Sequence, residues 1–550
     1  MTMDTPVLVA GAGPTGLTAA LELARMGVPV RIVDKLIAQP PVSAPVALQP
    51  RTLDLLGRRG LRLWTLPSSY AVSDAAVYAN GRLLGRVELA ADFGREPDLV
   101  MPRADFICSL REQLARHGVA VEHGTELVSV SQPSPDQPPE PDWPGVRAEL
   151  RRQDGRTQHV TTPYLIAAHG SQPTPRGLPE CTARSKRSGR GCVVANVWLD
   201  GDFPSHEFSV LLGKHGFLTA LPLGSGRFWF LASDPESRTG SCSSPSAAEI
   251  QLIADACSPM PVRLAGLTFS ARVPGGRRVQ PRLRHGRVFF GGASGYPTRP
   301  TAAWRANSGV QDMINLCWKL AMVLRGAAVP DLLTTYAPER VEAVRLVRTG
   351  ESAAHVLGSR SAGVHQLVTR VVPALLDARF VLGLCADLAG EVVPTYRASP
   401  LSTAPHGSGG VQPGDSVPDV EVLAGRIDAD AADFRAASMR ELVDPSRLTL
   451  LVATDTTSAI QPDWEELTGQ WRDTVAAYAI APRPAHPDDP GYVGAFGSGR
   501  GSVVVRPDGY VAFAGGPRAL PELVTWLSRW FPAAPPTDPG CRRDLAATGK

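Results

Sequence analysis

A glycine-rich segment near the amino terminus has the spacing of a phosphate-binding turn. Gly11, Gly13 and Gly16 form the motif GAGPTG, and an acidic residue, Asp34, lies further along the chain. In such a motif the first glycine permits a tight turn, the second admits a pyrophosphate, and the third lets a helix pack closely on a strand. Asp34 can accept a hydrogen bond from a ribose hydroxyl. These residues therefore predict a dinucleotide site.

The sequence also predicts the strands and the helix that position these groups. Residues 6–10 and 28–33 are apolar runs, and residues 14–26 between them carry apolar side chains at helical spacing. This order of strand, glycines, helix, strand and acid makes the motif specific, because the start of the helix offers free N–H groups to phosphate oxygens. The alternative interpretation is a strand-to-helix turn that serves folding alone.

Composition excludes several classes of protein. The chain has 550 residues, of which 43% are hydrophobic and 20% charged, as expected for several globular domains. A net charge of +3 without a dense basic block argues against nucleic acid binding. No apolar run reaches the roughly 20 residues of a membrane span, and no signal peptide is evident, so a cytoplasmic location is expected. The eight cysteines show no C-x-x-C pair and no metal-ligand spacing, which predicts reduced structural thiols.

Further motifs carry a resemblance that runs nearly the whole length of the chain. They are QPRTLDLL at residues 49–56, the segment 292–320 ending in NLCWKL, YAPER at residues 336–340 and YRASPL at residues 396–401. With the glycine motif, they resemble the class A FAD-dependent aromatic hydroxylases, and in particular the aromatic-polyketide hydroxylases of actinomycetes. The resemblance implies an α/β fold: a Rossmann-like, GR2-type FAD-binding core, a mixed antiparallel substrate sheet and a C-terminal thioredoxin-like domain.

The same resemblance implies domain boundaries. Residues 1–175 and 276–395 would form the FAD-binding domain, residues 176–275 the substrate sheet, residues 396–410 a linker, and residues 411–550 the thioredoxin-like domain. This last domain has no C-x-x-C motif. We therefore expect it to serve packing or homodimer contacts and not thiol exchange.

In that family FAD, reduced by transiently bound NAD(P)H, supports oxygen transfer to a phenolic or quinonoid ring, while the protein orients the ring and excludes water. A small aromatic polyketide-like substrate is implied. Matching the family residue by residue predicts cofactor contacts at these positions: Gly11, Gly13, Gly16, Asp34, Arg103, Gly170, Gly292, Pro300 and Asn307.

Several positions depart from the family pattern. His169 stands where the family has the Asp of an Asp-Gly pair, and Ala293 stands where an Asp would accept a hydrogen bond from the ribityl chain. Trp304 and Arg305 lie in a segment where family glycines bring backbone N–H groups to the flavin edge. Two further exchanges are Ala44 for an arginine and Arg103 for a common glutamine. Each lost charge-assisted hydrogen bond would weaken FAD binding by about 1.5–3 kcal/mol. The lost contacts are mainly those to the ribityl and isoalloxazine half of FAD.

Three functional hypotheses remain at this point. The first is an FAD- and NAD(P)H-dependent monooxygenase with rearranged flavin contacts. The second is a flavin-independent enzyme for dehydration, cyclisation or ring opening, in which Trp304 fills vacated space and His169, Tyr296 or Arg305 acts as acid, base or oxyanion partner. The third is a non-catalytic partner protein. Each residue also has a simpler explanation, as a loop hydrogen bond, a packing side chain or an ion pair, and Asp312 is predicted to be a surface or capping carboxylate.

Overall fold

In a computed structural model the chain divides into two compact units, which are described separately. The first unit comprises Met1–Ile314 and Arg340–Val393, and the second comprises Asn315–Glu339 and Pro394–Lys550. The structure describes residues 5–38, 44–79, 82–88, 96–133, 145–170, 174–179, 191–201, 203–213, 216–234, 243–258, 261–273, 281–296, 303–345, 394–404, 410–427, 434–454, 462–482, 492, 496, 501–516 and 518–533.

The first unit is built on a six-stranded sheet that confirms the Rossmann-like core. Its order is β18 (Arg284–His285), β19 (Val288–Phe290), β12 (Tyr164–Ala167), β1 (Val7–Ala10), β2 (Val30–Asp34) and β8 (Val121–His123). All neighbours are parallel except β18, which pairs antiparallel with β19. The parallel strands read as apolar runs because both faces of the sheet are covered. Helix α1 (Pro14–Arg25) follows β1 as predicted.

Two further helices and two small sheets complete the surroundings of this sheet. Helix α2 spans Pro50–Gly57 and helix α3 spans Arg103–Arg116. A three-stranded sheet has the order β3 (Val46–Leu48), β7 (Asp98–Met101) and β4 (Tyr70–Val72). Another has the order β11 (Thr157–Thr162), β10 (Val146–Arg152) and β9 (Thr125–Ser131). Short 3₁₀ turns lie at Leu63–Thr65 and Gly292–Ser294.

A seven-stranded sheet forms the predicted substrate layer. Its order is β17 (Arg263–Val273), β13 (Cys192–Asp200), β16 (Arg227–Ser233), β15 (Gly216–Pro222), β14 (Glu207–Gly213), β5 (Asp74–Ala79) and β6 (Arg82–Glu88). Only the pair β14 and β5 is parallel. The predicted boundary at residue 176 is therefore wrong for this sheet, because β5 and β6 come from the first hundred residues and join it through a long-range pairing that local sequence does not encode.

The two faces of the seven-stranded sheet bury different apolar sets. One face, with Phe228 and Phe230, packs against Ile250 and Ala254 of helix α4 (Ala247–Cys257). The opposite face, with Val194 and Trp229, forms a cluster with Ala47, Val100 and Ala303. We call this opposite face the substrate face.

The long helix α5 spans Arg305–Leu324. Trp304 therefore immediately precedes the helix, and Arg305 is its first residue. A 3₁₀ turn at Pro330–Thr335 and a helical segment at 336–345 follow. No helix in the described ranges is both long and apolar enough to cross a bilayer.

The second unit has the strand arrangement of a thioredoxin-like fold. Its sheet has the order β21 (Arg435–Ser438), β20 (Glu421–Arg426), β23 (Val475–Ala481), β22 (Leu448–Ala453), β24 (Gly501–Val505) and β25 (Val511–Gly515). Strands β22 and β23 are parallel and joined through α6 (Pro462–Gln470), whereas β24 and β25 are antiparallel and lead into α7 (Leu520–Trp530). The strands β20 and β21, at one side of the sheet, are additions to that core.

The predicted linker at residues 396–410 is wrong in its first part. Tyr396 is buried and its ring lies 4.1 Å from that of Tyr510, while Trp526 Nε1 donates to the Leu401 carbonyl at 3.2 Å. The polar, glycine-rich composition that suggested a linker begins only at residue 402. Residues 405–409 lie outside the described part of the chain.

The second unit also contains a buried charge cluster. Glu339 accepts hydrogen bonds from Lys319 Nζ at 2.8 Å and from both terminal nitrogens of Arg506 at 2.8 Å. Arg506 also pairs with Asp508 at 2.5 Å, and Asn315 Nδ2 donates to Glu339 at 2.7 Å. These side chains carry two positive and two negative charges. The cluster joins residues 315–339 to the thioredoxin-like strands and sets the boundary of this unit.

Candidate cofactor cleft and substrate face

The glycine motif adopts the close packing that the sequence predicts. Gly11 has a φ of +109°, and a Cβ there would lie 2.3 Å from the Ala168 carbonyl oxygen. A Cβ at Gly16 would lie 1.8 Å from the Gly11 carbonyl oxygen. Gly13 is the N-cap of α1 and supplies no side-chain cap. The first N–H groups of α1 are therefore open for an anion.

Asp34 stands at the end of β2 beside this turn. Its Oδ2 accepts from the Ala12 N–H at 2.5 Å, and its Oδ1 accepts from the Leu36 N–H at 2.8 Å. A carboxylate offers about four acceptor positions, so Asp34 retains capacity for a ribose hydroxyl. The carboxylate also fixes the turn that carries Gly11 and Gly13.

Arg103, the first residue of α3, lines the same cleft. A Cβ at Gly13 would lie 3.3 Å from Nη2 of Arg103. The side chain is exposed to solvent, yet desolvation by the surrounding protein lowers the pKa of its guanidinium, against the attraction of Asp34. Among the described residues Arg103 has no hydrogen-bond partner, so its donors are free to bind an anion beside Gly13.

His169 and Gly170 follow β12 on the other side of the turn. Within the described part of the chain neither ring nitrogen of His169 has a hydrogen-bond partner, although both are buried. Burial lowers the pKa of His169 to about 4, and the positive charge of Lys35 lowers it in the same direction. The imidazole is therefore neutral at pH 7. Gly170 has a φ of +75° and its N–H donates to Ser294 Oγ at 2.8 Å, a contact that the sequence did not suggest.

The loop after β19 is held by Asp312, which is fully buried and not a surface carboxylate. Asp312 accepts from the Gly292 N–H at 2.8 Å, from Tyr296 Oη at 2.5 Å and from Arg340 Nε at 2.6 Å. Gly292 has a φ of +55°, and a Cβ there would lie 2.7 Å from Thr15 Oγ1. Gly292, which the sequence predicts as a cofactor contact, therefore also has a structural role, since no side chain fits at this position.

Tyr296 is a poor candidate for acid–base chemistry. Burial, followed by the charge of Asp312, raises the pKa of its phenol well above the ordinary value of 10.0. The hydroxyl is 2.5 Å from Asp312 and the residue is only 3% exposed. We therefore reassign Tyr296 from catalytic candidate to structural donor.

Trp304 turns its indole toward the substrate face. Its Nε1 donates to Oδ2 of the buried Asp98 at 2.7 Å, and its ring meets Phe208 edge to face with centroids 5.1 Å apart. The half-buried side chain of Trp304 therefore packs on the substrate layer. The sequence did not predict a role for Asp98, because it stands at the start of an ordinary apolar strand, β7.

Asn307 and Arg305 occupy the first turn of α5. Asn307 Nδ2 donates to the Ala47 and Trp304 carbonyls, both at 2.8 Å, and its Oδ1 accepts from the Gln49 N–H at 3.0 Å. The amide of Asn307 is thus engaged by backbone, and its side chain positions β3 and α2 instead of facing a ligand. Arg305 is half-buried, and its charge acts on Tyr296. Pro300 lies outside the described residues, as do Thr301 and Ala302.

Comparison with known proteins decides the family. Residues 4–350 match the FAD binding domain family, and residues 411–534 match the C-terminal domain of aromatic-ring hydroxylases. The chain is 30% identical over 543 residues to the 6-methylpretetramide 4-monooxygenase of Streptomyces rimosus, covering 92% of this chain and 90% of that protein. The chain belongs to the FAD-dependent aromatic-ring hydroxylases.

Solved structures of similar fold agree with this family. A ternary complex of aklavinone-11 hydroxylase with FAD and aklavinone has a TM-score of 0.69 at 23% identity, covering 96% of this chain and 99% of that chain. The Diels-Alderase of the pyrroindomycin pathway has a TM-score of 0.63 at 20% identity, also covering 96% and 99%. These likenesses confirm the predicted fold.

The residues of this hydroxylase that surround the glycine turn fit the adenosine diphosphate half of FAD. The donor set is a free helix start, the unpartnered guanidinium of Arg103 and an acceptor at Asp34. At the other half, Trp304 is directed at the substrate face, so its bulk is taken up in packing. These contacts of Trp304 do not support the hypothesis that its side chain fills the flavin position.

Proposed function

We propose that this hydroxylase is a cytoplasmic tailoring enzyme that hydroxylates a fused-ring aromatic polyketide with FAD and NAD(P)H. The observation that carries the proposal is the substrate face itself. Partly buried aromatic and aliphatic side chains line it beside Trp304, namely Tyr70, Leu84, Phe217, Leu223, Leu231 and Phe269. Flat apolar walls of this kind bind planar ring systems by burial and by offset or edge contacts.

The chain's own residues have separable roles in this proposal. The glycine turn, Asp34 and Arg103 would hold the adenosine diphosphate half of FAD. When bound, the flavin supplies the oxidising chemistry that hydroxylates the ring. The apolar substrate face orients that ring and excludes water. The positive charge of Arg305 and the start of α5 stand together, so they would stabilise negative charge that develops nearby, whether on the cofactor or on a phenolate substrate.

A second candidate is a flavin-independent reaction in the same substrate space. It is favoured by Ala293, which offers no acceptor to a ribityl hydroxyl, and by Arg305 in place of a family glycine. In this candidate Arg305 would polarise a substrate carbonyl. His169 would be its neutral base, since its ring nitrogens have no hydrogen-bond partner in the described ranges.

One experiment separates the two candidates. The purified protein is examined for bound flavin, then titrated with FAD while flavin fluorescence and thermal unfolding are followed, since a ligand of the native state raises its stability. Hydroxylation is assayed with NADPH or NADH and a panel of anthraquinone and naphthacene substrates, with oxygen present and absent. The proposal requires FAD binding and oxygen-dependent product. Product formed equally without FAD and oxygen would overturn it in favour of the second candidate.

The variant Ala293→Asp sharpens this experiment. Ala293 is half-exposed, so a carboxylate can be accommodated there. Restoring an acceptor to the ribityl chain is expected to tighten FAD binding by about tenfold, whereas the isosteric but apolar Ala293→Val should not. Tighter FAD binding in Ala293→Asp alone would place the ribityl chain at this loop.

A further inference from the structure

The substrate face carries two buried polar atoms that have no hydrogen-bond partner among the residues that the structure describes. They are Nε1 of Trp229 and Oδ1 of Asn196. Trp229 is only 3% exposed. Buried polar atoms in folded proteins are almost always paired, so an unpaired donor and an unpaired acceptor at one place call for an explanation.

Strand register places the side chains of Trp229 and Asn196 next to each other on the substrate face. Asn196 of β13 lies directly opposite Trp229 of β16 on one side and opposite Phe269 of β17 on the other. Directly opposed residues point to the same face, with Cβ atoms roughly 5 Å apart. The rings of Trp229 and Phe269 stack with centroids 5.9 Å apart and an interplanar angle of 13°. A donor, an acceptor and a flat aromatic surface therefore lie side by side.

The fold alone gives no reason for these two side chains. Their neighbours on the substrate face, Val194, Leu231 and Ala271, are apolar. A phenylalanine and a leucine would fill similar volume without leaving polar atoms unpaired, and unpaired burial is unfavourable. A ligand that pairs with both atoms would remove that penalty.

We propose that Trp229 and Asn196 recognise a polar substituent on the ring of the substrate. A carbonyl oxygen of the substituent accepts from Trp229 Nε1, and an adjacent N–H or O–H donates to Asn196 Oδ1. The substituent is thus a primary carboxamide or a hydroxyketone on a planar ring that packs along Phe269. This inference rests on the proposed function for its aromatic substrate, and makes the two residues determinants of substrate specificity.

The test is a binding comparison on the full-length protein, with and without saturating FAD. The probes form two matched pairs, and intrinsic tryptophan fluorescence or calorimetry reports affinity. 2-Naphthamide is compared with methyl 2-naphthoate, which lacks the N–H donor. 3-Hydroxy-2-acetonaphthone is compared with 2-acetonaphthone, which lacks the adjacent O–H. The pair with the larger difference identifies whether the carboxamide or the hydroxyketone is the preferred substituent.

Two variants assign the contacts. Trp229→Phe keeps the ring but removes the donor, and should weaken all four carbonyl probes by roughly five- to tenfold while leaving 2-ethylnaphthalene unchanged. Asn196→Leu should abolish the preference for the donor-bearing member of each pair. Trp64→Phe, at an exposed tryptophan, is the matched control. Because Trp229→Phe also leaves a smaller ring at a buried position, its free energy of unfolding is measured beside that of Trp64→Phe, and the loss of affinity is attributed to the missing donor only where 2-ethylnaphthalene binds unchanged.

The outcomes separate this inference from the proposed function. Equal wild-type affinity within both pairs, or unchanged affinity in Trp229→Phe, would overturn the recognition pair even if the protein hydroxylates aromatic substrates. Selective binding that both variants lose would support the pair even if no flavin is bound.

Discussion

The indole Nε1 of Trp304 lies 2.7 Å from Oδ2 of Asp98, and this single contact changes how the departures from the family pattern are understood. Trp304 lies in the segment where family glycines approach the flavin edge, yet its side chain packs on the substrate layer. Asp98 is 3% exposed, so the hydrogen bond neutralises part of the cost of burying a carboxylate.

Replacing Trp304 by Phe should therefore weaken the fold at the substrate layer. The variant keeps an aromatic ring against Phe208 but removes a donor to a buried carboxylate, which should lower the free energy of unfolding by about 1–3 kcal/mol. Urea unfolding of the variant and of the control Trp64→Phe checks this. Equal stability of the two variants would contradict the role assigned to the Asp98 contact.

Arg103→Gln should selectively weaken ligands that carry a diphosphate. Loss of a charge-assisted contact predicts about tenfold or greater weakening of ADP and FAD binding, with riboflavin unaffected. Calorimetric titration at two salt concentrations measures this, and the wild type should show the stronger salt dependence for ADP. Arg116→Gln, at an exposed position on the same helix, serves as control. Weakened riboflavin binding in Arg103→Gln would instead indicate a general disturbance of the cleft.

His169 should make the protein less stable in mild acid. Its imidazole stays neutral in the folded state down to about pH 4, whereas the unfolded chain takes up the proton near the ordinary value of 6.5. Between these pH values the unfolded state binds more protons than the folded state. The free energy of unfolding is therefore highest above pH 6.5 and falls as the pH drops toward 4. The loss should be about 2–3 kcal/mol, and His169→Gln should remove it. Unfolding at pH 7.5 and pH 5, with His117→Gln as control, measures it; an unchanged pH dependence in His169→Gln would contradict the assignment.

Tyr296→Phe should separate structural from catalytic roles. A general acid or base contributes about a hundredfold or more to kcat. We expect kcat to change by less than about fivefold while the free energy of unfolding falls by about 1–2 kcal/mol, because only the hydrogen bond to Asp312 is lost. Steady-state kinetics and urea unfolding of the same preparation check both parts. A kcat loss of two orders of magnitude with unaltered stability would restore the catalytic hypothesis.

Lys319→Met should strongly destabilise the second unit. Removing one member of a buried charge cluster leaves Glu339 undercompensated, which costs about 3–5 kcal/mol. The thermal unfolding of the variant is compared with that of Arg529→Met, at an exposed arginine. If the two variants melt together, the cluster is not what joins residues 315–339 to this unit.

The parts of the fold that follow local rules were predictable. The turn at Gly11 to Gly16 and helix α1 depend on glycine conformation, helical spacing and neighbouring apolar runs, and both were found where expected. The joining of β5 to β14 and the burial of Tyr396 were not, because both depend on partners more than a hundred residues away. The same reason hid the contact between Asp98 and Trp304, and the pair of Trp229 with Asn196 depends on a strand register that residue spacing does not encode.

By itself, then, the amino-acid sequence determined the class of fold, the dinucleotide turn and membership of the hydroxylase family, since each is encoded in short motifs whose backbone chemistry is local. Only the tertiary structure decided which side chains are free to act. It engaged Asn307 and Tyr296 with protein partners, left Arg103 and His169 without a hydrogen-bond partner among the described residues, and directed Trp304 at the substrate face. Whether a polar group is already paired depends on long-range packing, and spacing along the chain carries no record of it.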